Sequence, residues 1–225
     1  PTGSDGLEPA ASHSPFDDEP DHPDDDDGSP SRARHHERGP GHEILQQILQ
    51  AFGGPGRSVL SFAPTYSMYP EYARDTHTEW LVGRREEDFA LDVASAAALV
   101  EKCRPDVVLL PSPNNPTGTA LPPQAVSTLC EALGEGGLLV VDAAYGELRR
   151  TGTPSALELL PRHRNLIVTR TMSKAFALAG ARLGYLAAHP ALCDALRVVR
   201  LPYHLSAITQ ATALAALRHA PELLG

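Results

Sequence analysis

The chain has 225 residues, with 28 Asp and Glu against 19 Lys and Arg, so its formal net charge is −9. Residues 1–40 hold 11 of those acids and 3 of the bases, which leaves the rest close to neutral. No basic run is present to neutralise phosphates, which argues against nucleic-acid binding. No apolar stretch reaches the ~18–20 residues that a membrane span needs.

The first forty residues also carry 7 of the 21 prolines and only five apolar side chains, Leu7, Ala10, Ala11, Phe16 and Ala33. Such a segment buries too little apolar surface to offset the entropy of ordering it, and it reads as a disordered acidic leader. The run Asp24-Asp25-Asp26-Asp27-Gly28 fails as a calcium loop, because position 1 is Pro23 and position 12 is Arg34. His35 and His36 lack a third ligand at zinc-like spacing, so no metal site is expected. The N-terminus shows no charged-then-apolar signal pattern, and three scattered cysteines point to reduced thiols in a cytoplasm. The chain opens on Pro1, which reads as a fragment or trimmed product.

From Gly41 onward the pattern is that of one globular unit, residues 41–225. Ile44, Leu45, Ile48, Leu49 and Phe52 mark one face of a helix that Gly53-Gly54-Pro55 ends. Short apolar runs then alternate with helical stripes. Val59–Phe62, Trp80–Val82, Val107–Leu110, Leu138–Val141, Leu166–Thr169 and Leu183–Ala187 are expected strands, continuous as in a parallel sheet covered on both faces. The stripes between them are Ala96, Leu99, Val100 and Cys103; Val126, Leu129, Cys130 and Leu133; and Leu192, Ala195, Leu196 and Val199. A last helix starts from the cap Ser206 and shows Ile208, Ala211 and Ala215 on one face. The fold class is therefore α/β, a mostly parallel sheet flanked by helices.

Ligands of such sheets bind beyond the carboxyl ends of the strands. There the sequence places Pro111-Ser112-Pro113-Asn114-Asn115-Pro116-Thr117-Gly118, then Asp142-Ala143-Ala144-Tyr145, then Arg170-Thr171-Met172-Ser173-Lys174. Lys174 is one of only two lysines in the chain, the other being Lys102. A lysine at a strand end is a candidate Schiff-base former, and pyridoxal 5'-phosphate accounts for its neighbours. That cofactor needs a buried carboxylate at its pyridine nitrogen, for which Asp142 is suited. Asn115 and Tyr145 can donate to its ring oxygen. Thr171, Ser173 and Arg182 suit its phosphate, and Tyr66, beyond the first strand, suits the ring face. Each residue has an ordinary alternative. Asn115-Pro116-Thr117-Gly118 is a turn signal, Asp142 is a possible helix cap, and Tyr66, Tyr69 and Tyr72 are a possible core face of one helix. The weight lies in their convergence.

Asn115-Pro116-Thr117-Gly118, Asp142-x-x-Tyr145 and Thr171-x-Ser173-Lys174-x7-Arg182 resemble the fold-type I pyridoxal-phosphate aminotransferases. Longer strings, Glu43 to Arg57, Pro64 to Tyr69, Thr171 to Tyr185 and Leu201 to Ala211, resemble its histidinol-phosphate branch. The resemblance spans roughly residues 43–220. It implies transamination between histidinol phosphate and 2-oxoglutarate in histidine biosynthesis, through a homodimer when full length. It also implies Lys174 as the covalent attachment point, with the other seven residues around the cofactor. In Pro40-Gly41-His42-Glu43, His42 stands where the family carries an amide or acid. Residues 1–40 lack the tyrosines of the family's N-terminal arm, and residues 41–225 match its large domain without the small C-terminal one. The alternatives are another fold-type I aminotransferase, a phosphoamino-acid decarboxylase, or a non-catalytic frameshifted fragment.

Overall fold

The computed structural model describes residues 40–149, 152–202 and 204–224. The leader, with its calcium-like and histidine runs, lies outside the described residues. Among the described residues the α-helices and strands follow in order: α1 (Pro40–Phe52), β1 (Ser58–Ala63), α2 (Tyr69–Asp75), β2 (Glu79–Arg84), α3 (Val93–Cys103), β3 (Val107–Pro111), α4 (Pro123–Leu133), β4 (Leu138–Asp142), β5 (Leu166–Thr171), β6 (Gly184–Ala188), α5 (Pro190–Val199), α6 (Ala207–Arg218) and α7 (Ala220–Leu224). All six expected strands form, and they make one sheet in the order β2-β1-β3-β4-β5-β6. Strands β1 to β5 run parallel. β6 runs antiparallel to β5, with Thr171 opposite Gly184.

The apolar runs are continuous because alternate residues face two separate layers. Leu60, Phe62, Val108, Leu110, Leu139, Val141, Leu166 and Val168 pack with Ala96 and Val100 of α3 and with Val126 and Leu129 of α4. The alternating set Val59, Val107, Leu109, Val140 and Ile167 packs on the other side. Its partners are Ile44, Leu45, Ile48 and Leu49 of α1, Tyr69 and Tyr72 of α2, and Leu196 of α5. Helix ends follow local chemistry. Asp92 caps α3 by accepting from the Ala94 N–H, Pro123 opens α4 and Gly134 closes it at φ +58°, and Ser206 caps α6 by accepting from Thr209.

Two stripes differ from the sequence reading. Cys103, in the last turn of α3, is exposed. On α6 the buried residues are Ala213 and Ala216, packed with Met172 and Phe176, whereas Ile208 is 80% exposed. Apolar residues occur nearly all round α6, so periodicity could not select a face; the small side chains meet the loop after β5 because they let the backbones approach.

Among the described residues, no helix is long and apolar enough to cross a membrane.

Candidate active site

β2 lies on one side of β1 and β3 on the other, so the strand order reverses between β1 and β3. That reversal splays the connections beyond the two strands and opens a crevice at their carboxyl ends. A cleft of about 430 Å³ lies there, and all eight site residues expected from the sequence line it: Tyr66, Asn115, Asp142, Tyr145, Thr171, Ser173, Lys174 and Arg182. Seven of them come from the carboxyl ends of four strands, and Arg182 lies just before β6. Tyr66 follows β1, Asn115 follows β3, Asp142 ends β4 with Tyr145 in the next turn, and Thr171 ends β5 with Ser173 and Lys174 beyond it.

The connections are tied together locally. Asn114, not Asn115, is the structural residue of its turn. Its side-chain amide donates to the Pro64 carbonyl at 3.1 Å and to Thr117 Oγ1 at 2.7 Å, which joins the loops beyond β1 and β3. Asn115 is left facing the cleft. The peptide bonds Ala63–Pro64, Ser112–Pro113 and Asn115–Pro116 are all cis. At the end of β5, Thr171 Oγ1 donates to Ser173 Oγ at 3.0 Å and accepts from the Ser173 N–H at 3.2 Å, so the two hydroxyls sit as a pair. Arg182 occupies the left-handed region at φ +53°, a conformation a non-glycine residue rarely adopts. Its guanidinium lies 3.6 Å from Glu43 of α1, but both side chains are substantially exposed, so this pair holds it weakly.

Asp142 is the centre of charge on the cleft floor. Tyr69 Oη donates to its Oδ2 at 3.1 Å, and Thr169 Oγ1 donates to its Oδ1 at 3.2 Å. Burial pushes the carboxyl above its usual range, and the bonds from Tyr69, Thr169 and the Ala144 N–H oppose that shift without cancelling it. Burial and the neighbouring Asp142 together hold the Tyr69 phenol well above its usual range, so it remains a donor. Sequence reasoning missed this contact, since Tyr69 lies 73 residues from Asp142. Of the three tyrosines read as a possible core face, Tyr69 and Tyr72 are buried on α2, while Tyr66 opens onto the cleft and meets Tyr69 edge-on at 5.5 Å.

Lys174 departs from expectation in one respect. A Schiff-base lysine is expected to be partly desolvated, but here it is exposed at the cleft mouth. Its ammonium lies 5.6 Å from the centroid of the Tyr145 ring. Among the described residues, no carboxylate lies within ion-pair distance of it. Behind the cleft, Arg170 on the opposite side of β5 pairs with Glu147 at 2.9 Å.

The donor set fits a planar, phosphorylated pyridine aldehyde. It offers one carboxylate for a protonated ring nitrogen, amide and phenol donors for a ring oxygen, and a hydroxyl pair with a guanidinium for a phosphate. One amine is free to meet the aldehyde.

The model of the family described as aminotransferase class I and II matches residues 39–224. A histidinol-phosphate aminotransferase of Frankia casuarinae is 63% identical over 185 residues, covering 81% of this chain and 47% of its own length. That of Thermobifida fusca is 63% identical over 182 residues and is covered to 49%. The chain thus spans about half the length of the curated relatives it matches. Among solved structures, histidinol-phosphate aminotransferase from Sinorhizobium meliloti in complex with pyridoxal-5'-phosphate aligns at a TM-score of 0.74 and 30% identity. That alignment covers 80% of this chain and 49% of the other. An L-threonine-O-3-phosphate decarboxylase from Porphyromonas gingivalis aligns at 0.68 with 22% identity, a likeness of fold alone.

Proposed function

Since the chain belongs to the class I and II aminotransferase family, we propose that its cleft binds pyridoxal 5'-phosphate and that the whole protein transaminates histidinol phosphate with 2-oxoglutarate. The observation that carries this reading is the convergence of one lysine, one buried carboxylate and a hydroxyl–guanidinium cluster at the β1/β3 reversal. The choice of histidinol phosphate is supported by the relatives that bear that name at 63% identity.

When bound, the cofactor supplies an electron sink for the carbon that loses its proton, provided its ring nitrogen stays protonated. The chain's own residues do the rest. Asp142 holds the proton at the ring nitrogen; its raised affinity for a cationic partner follows from being a buried carboxylate without a positive neighbour on the floor. Asn115 and Tyr145 donate to the ring oxygen, and Tyr66 covers the ring face and excludes water from it. Thr171, Ser173 and Arg182 grip the phosphate and fix the register of the ring. Lys174 Nζ is the amine that would hold the cofactor covalently at its aldehyde carbon, with loss of water. Freed by the substrate amine, Lys174 Nζ would serve as the base that takes the proton from the substrate carbon and, as the ammonium, delivers it to the carbon that had carried the aldehyde.

Residues 41–225 serve as the cofactor-binding part, with residues 1–40 an acidic leader outside it. The protein works as a homodimer in the cytoplasm, a compartment that suits its free cysteines.

The test is covalent trapping. The chain is incubated with pyridoxal phosphate, reduced with borohydride and mapped by tryptic mass spectrometry. The expected adduct lies at Lys174, with exposed Lys102 on α3 as the internal control. Equal labelling of the two lysines overturns the reading. For the whole protein, Lys174→Ala is expected to abolish glutamate-coupled conversion of histidinol phosphate.

A further inference from the structure

Each oxygen of Asp142 is met by a hydroxyl from a different element. Thr169 reaches Oδ1 from within the sheet, at 3.2 Å on the neighbouring strand β5. Tyr69 reaches Oδ2 from α2, at 3.1 Å. With both oxygens held, the carboxylate is restrained from rotating about its terminal bond while Asp142 lines the cleft. The two anchors are rigid. Thr169 is 1% exposed and Tyr69 is not exposed at all, and the Tyr69 ring is wedged in the layer between α1, α2 and the sheet.

The same ring has a second contact. Tyr66, which lines the cleft, meets it edge-on with an interplanar angle of 83° and centroids 5.5 Å apart, the favoured geometry for two aromatic quadrupoles. One buried side chain therefore touches both the carboxylate that would address a heteroaromatic ring at its edge and the phenol that would cover its face. We infer that Tyr69 is a positioning residue, which fixes the plane of the Asp142 carboxylate through its hydroxyl and the tilt of Tyr66 through its ring edge. The inference deepens the cofactor reading above and rests on it for its functional meaning. The contacts themselves exist without any ligand.

The two contacts separate chemically. Tyr69→Phe keeps the ring, its volume and its edge against Tyr66, and removes only the donor to Asp142. Tyr69→Leu removes both. Thr169→Val removes the other donor at nearly constant shape. The ionisable groups that share the cleft with Asp142 are Tyr66, Tyr145, Lys174 and Arg182; none of them is itself replaced, and Tyr69→Phe keeps the ring edge against Tyr66.

The experiment has two arms on the full chain. In the first, the ligand-free protein is labelled with 13C at aspartate carboxyls, and Asp142, identified by its absence in Asp142→Asn, is titrated by NMR. A hydroxyl donor stabilises the charged form, so Tyr69→Phe and Thr169→Val must each move the Asp142 midpoint upward. An unmoved or lowered midpoint in Tyr69→Phe overturns the inference. Circular dichroism checks that the variant is folded; if it is not, 4-aminophenylalanine at position 69 keeps a weaker donor in place and must still raise the midpoint. In the second arm, pyridoxal phosphate binding is measured. Tyr69→Phe is expected to weaken it about tenfold, the size of one hydrogen bond to a charged group, and Tyr69→Leu to weaken it further. Equal losses in Phe and Leu refute the role of the ring edge. If the parent itself binds no pyridoxal phosphate, the cofactor reading fails, while the titration still decides whether Tyr69 holds Asp142.

Discussion

Replacing Arg170 by methionine probes a buried ion pair behind the cleft. The Arg170 side chain is 5% exposed and that of Glu147 is 11% exposed, and they meet at 2.9 Å. Arg170 Nη2 also donates to Ser155 Oγ at 3.2 Å. The backbone is shaped around this pair, for a methyl built on Gly146 would run into the guanidinium. Satisfaction is incomplete, since Arg170 Nε has no hydrogen-bond partner. Removing one member of a buried pair leaves the other charged and desolvated, at a cost of about 3–5 kcal/mol. Arg170→Met is therefore expected to destabilise by about 4 kcal/mol. At a slope of about 2 kcal/mol per M, the urea midpoint falls by about 2 M. The paired replacement Glu147→Leu/Arg170→Met removes both charges and is expected to return to within about 1 kcal/mol of the parent. Urea unfolding followed through Trp80, the single tryptophan, gives all four corners of the double-mutant cycle. A loss below about 1 kcal/mol for Arg170→Met, or a double variant as weak as the sum of the singles, refutes the reasoning. Glu147 lies two residues beyond Tyr145, so the cycle also reports how firmly the Tyr145 turn is fastened to β5.

Two further outcomes follow from ionisation. Asp142 has a carboxyl held above its usual range by burial; its contribution to stability is therefore complete below the ordinary carboxyl range and is lost as pH rises through its folded value. Asp142→Asn is accordingly expected to stabilise the ligand-free chain at neutral pH, with the gain fading on acidification; a gain that grows toward acid pH contradicts the assignment. Burial pushes the Cys130 thiol up to about 12, so iodoacetamide at pH 8 is expected to label exposed Cys103 first and to reach Cys130 only after unfolding, as peptide mapping would check.

The strands were legible because each is a short run of large apolar side chains, and a buried parallel sheet demands that pattern. The cleft was legible for a related reason. In such a sheet the residues just past each run converge on one edge, so linear order alone brings Asn115, Asp142 and Lys174 together. Direction was not legible, since nothing in Gly184–Ala188 distinguishes an antiparallel strand from a parallel one. The face of α6 was hidden because its apolar residues lie nearly all round the helix. The Tyr69–Asp142 and Glu147–Arg170 contacts depend on how separate elements pack, and no local spacing announces them. The exposure of Lys174 belongs with these, because covering a side chain is a property of what stands over the turn and not of the turn's own residues.

The antiparallel run of β6 has a geometric consequence for the cleft. A parallel successor to β5 would have required the chain to travel back along the whole sheet before re-entering it. Because β6 returns from the same edge that β5 leaves, residues 172–183 begin and end at neighbouring rungs, closed by the bond from the Met172 N–H to the Leu183 carbonyl at 3.1 Å. This excursion is tethered at both feet, like the handle of a basket. Ser173 and Lys174 sit by one foot and Arg182 by the other. Their separation is thus set by the width of one strand pair and not by the path between them. The crown of the handle is pinned as well, for Phe176 is buried with Met172 against Ala213 and Ala216 and the Leu178 N–H donates to the Met172 carbonyl at 3.0 Å.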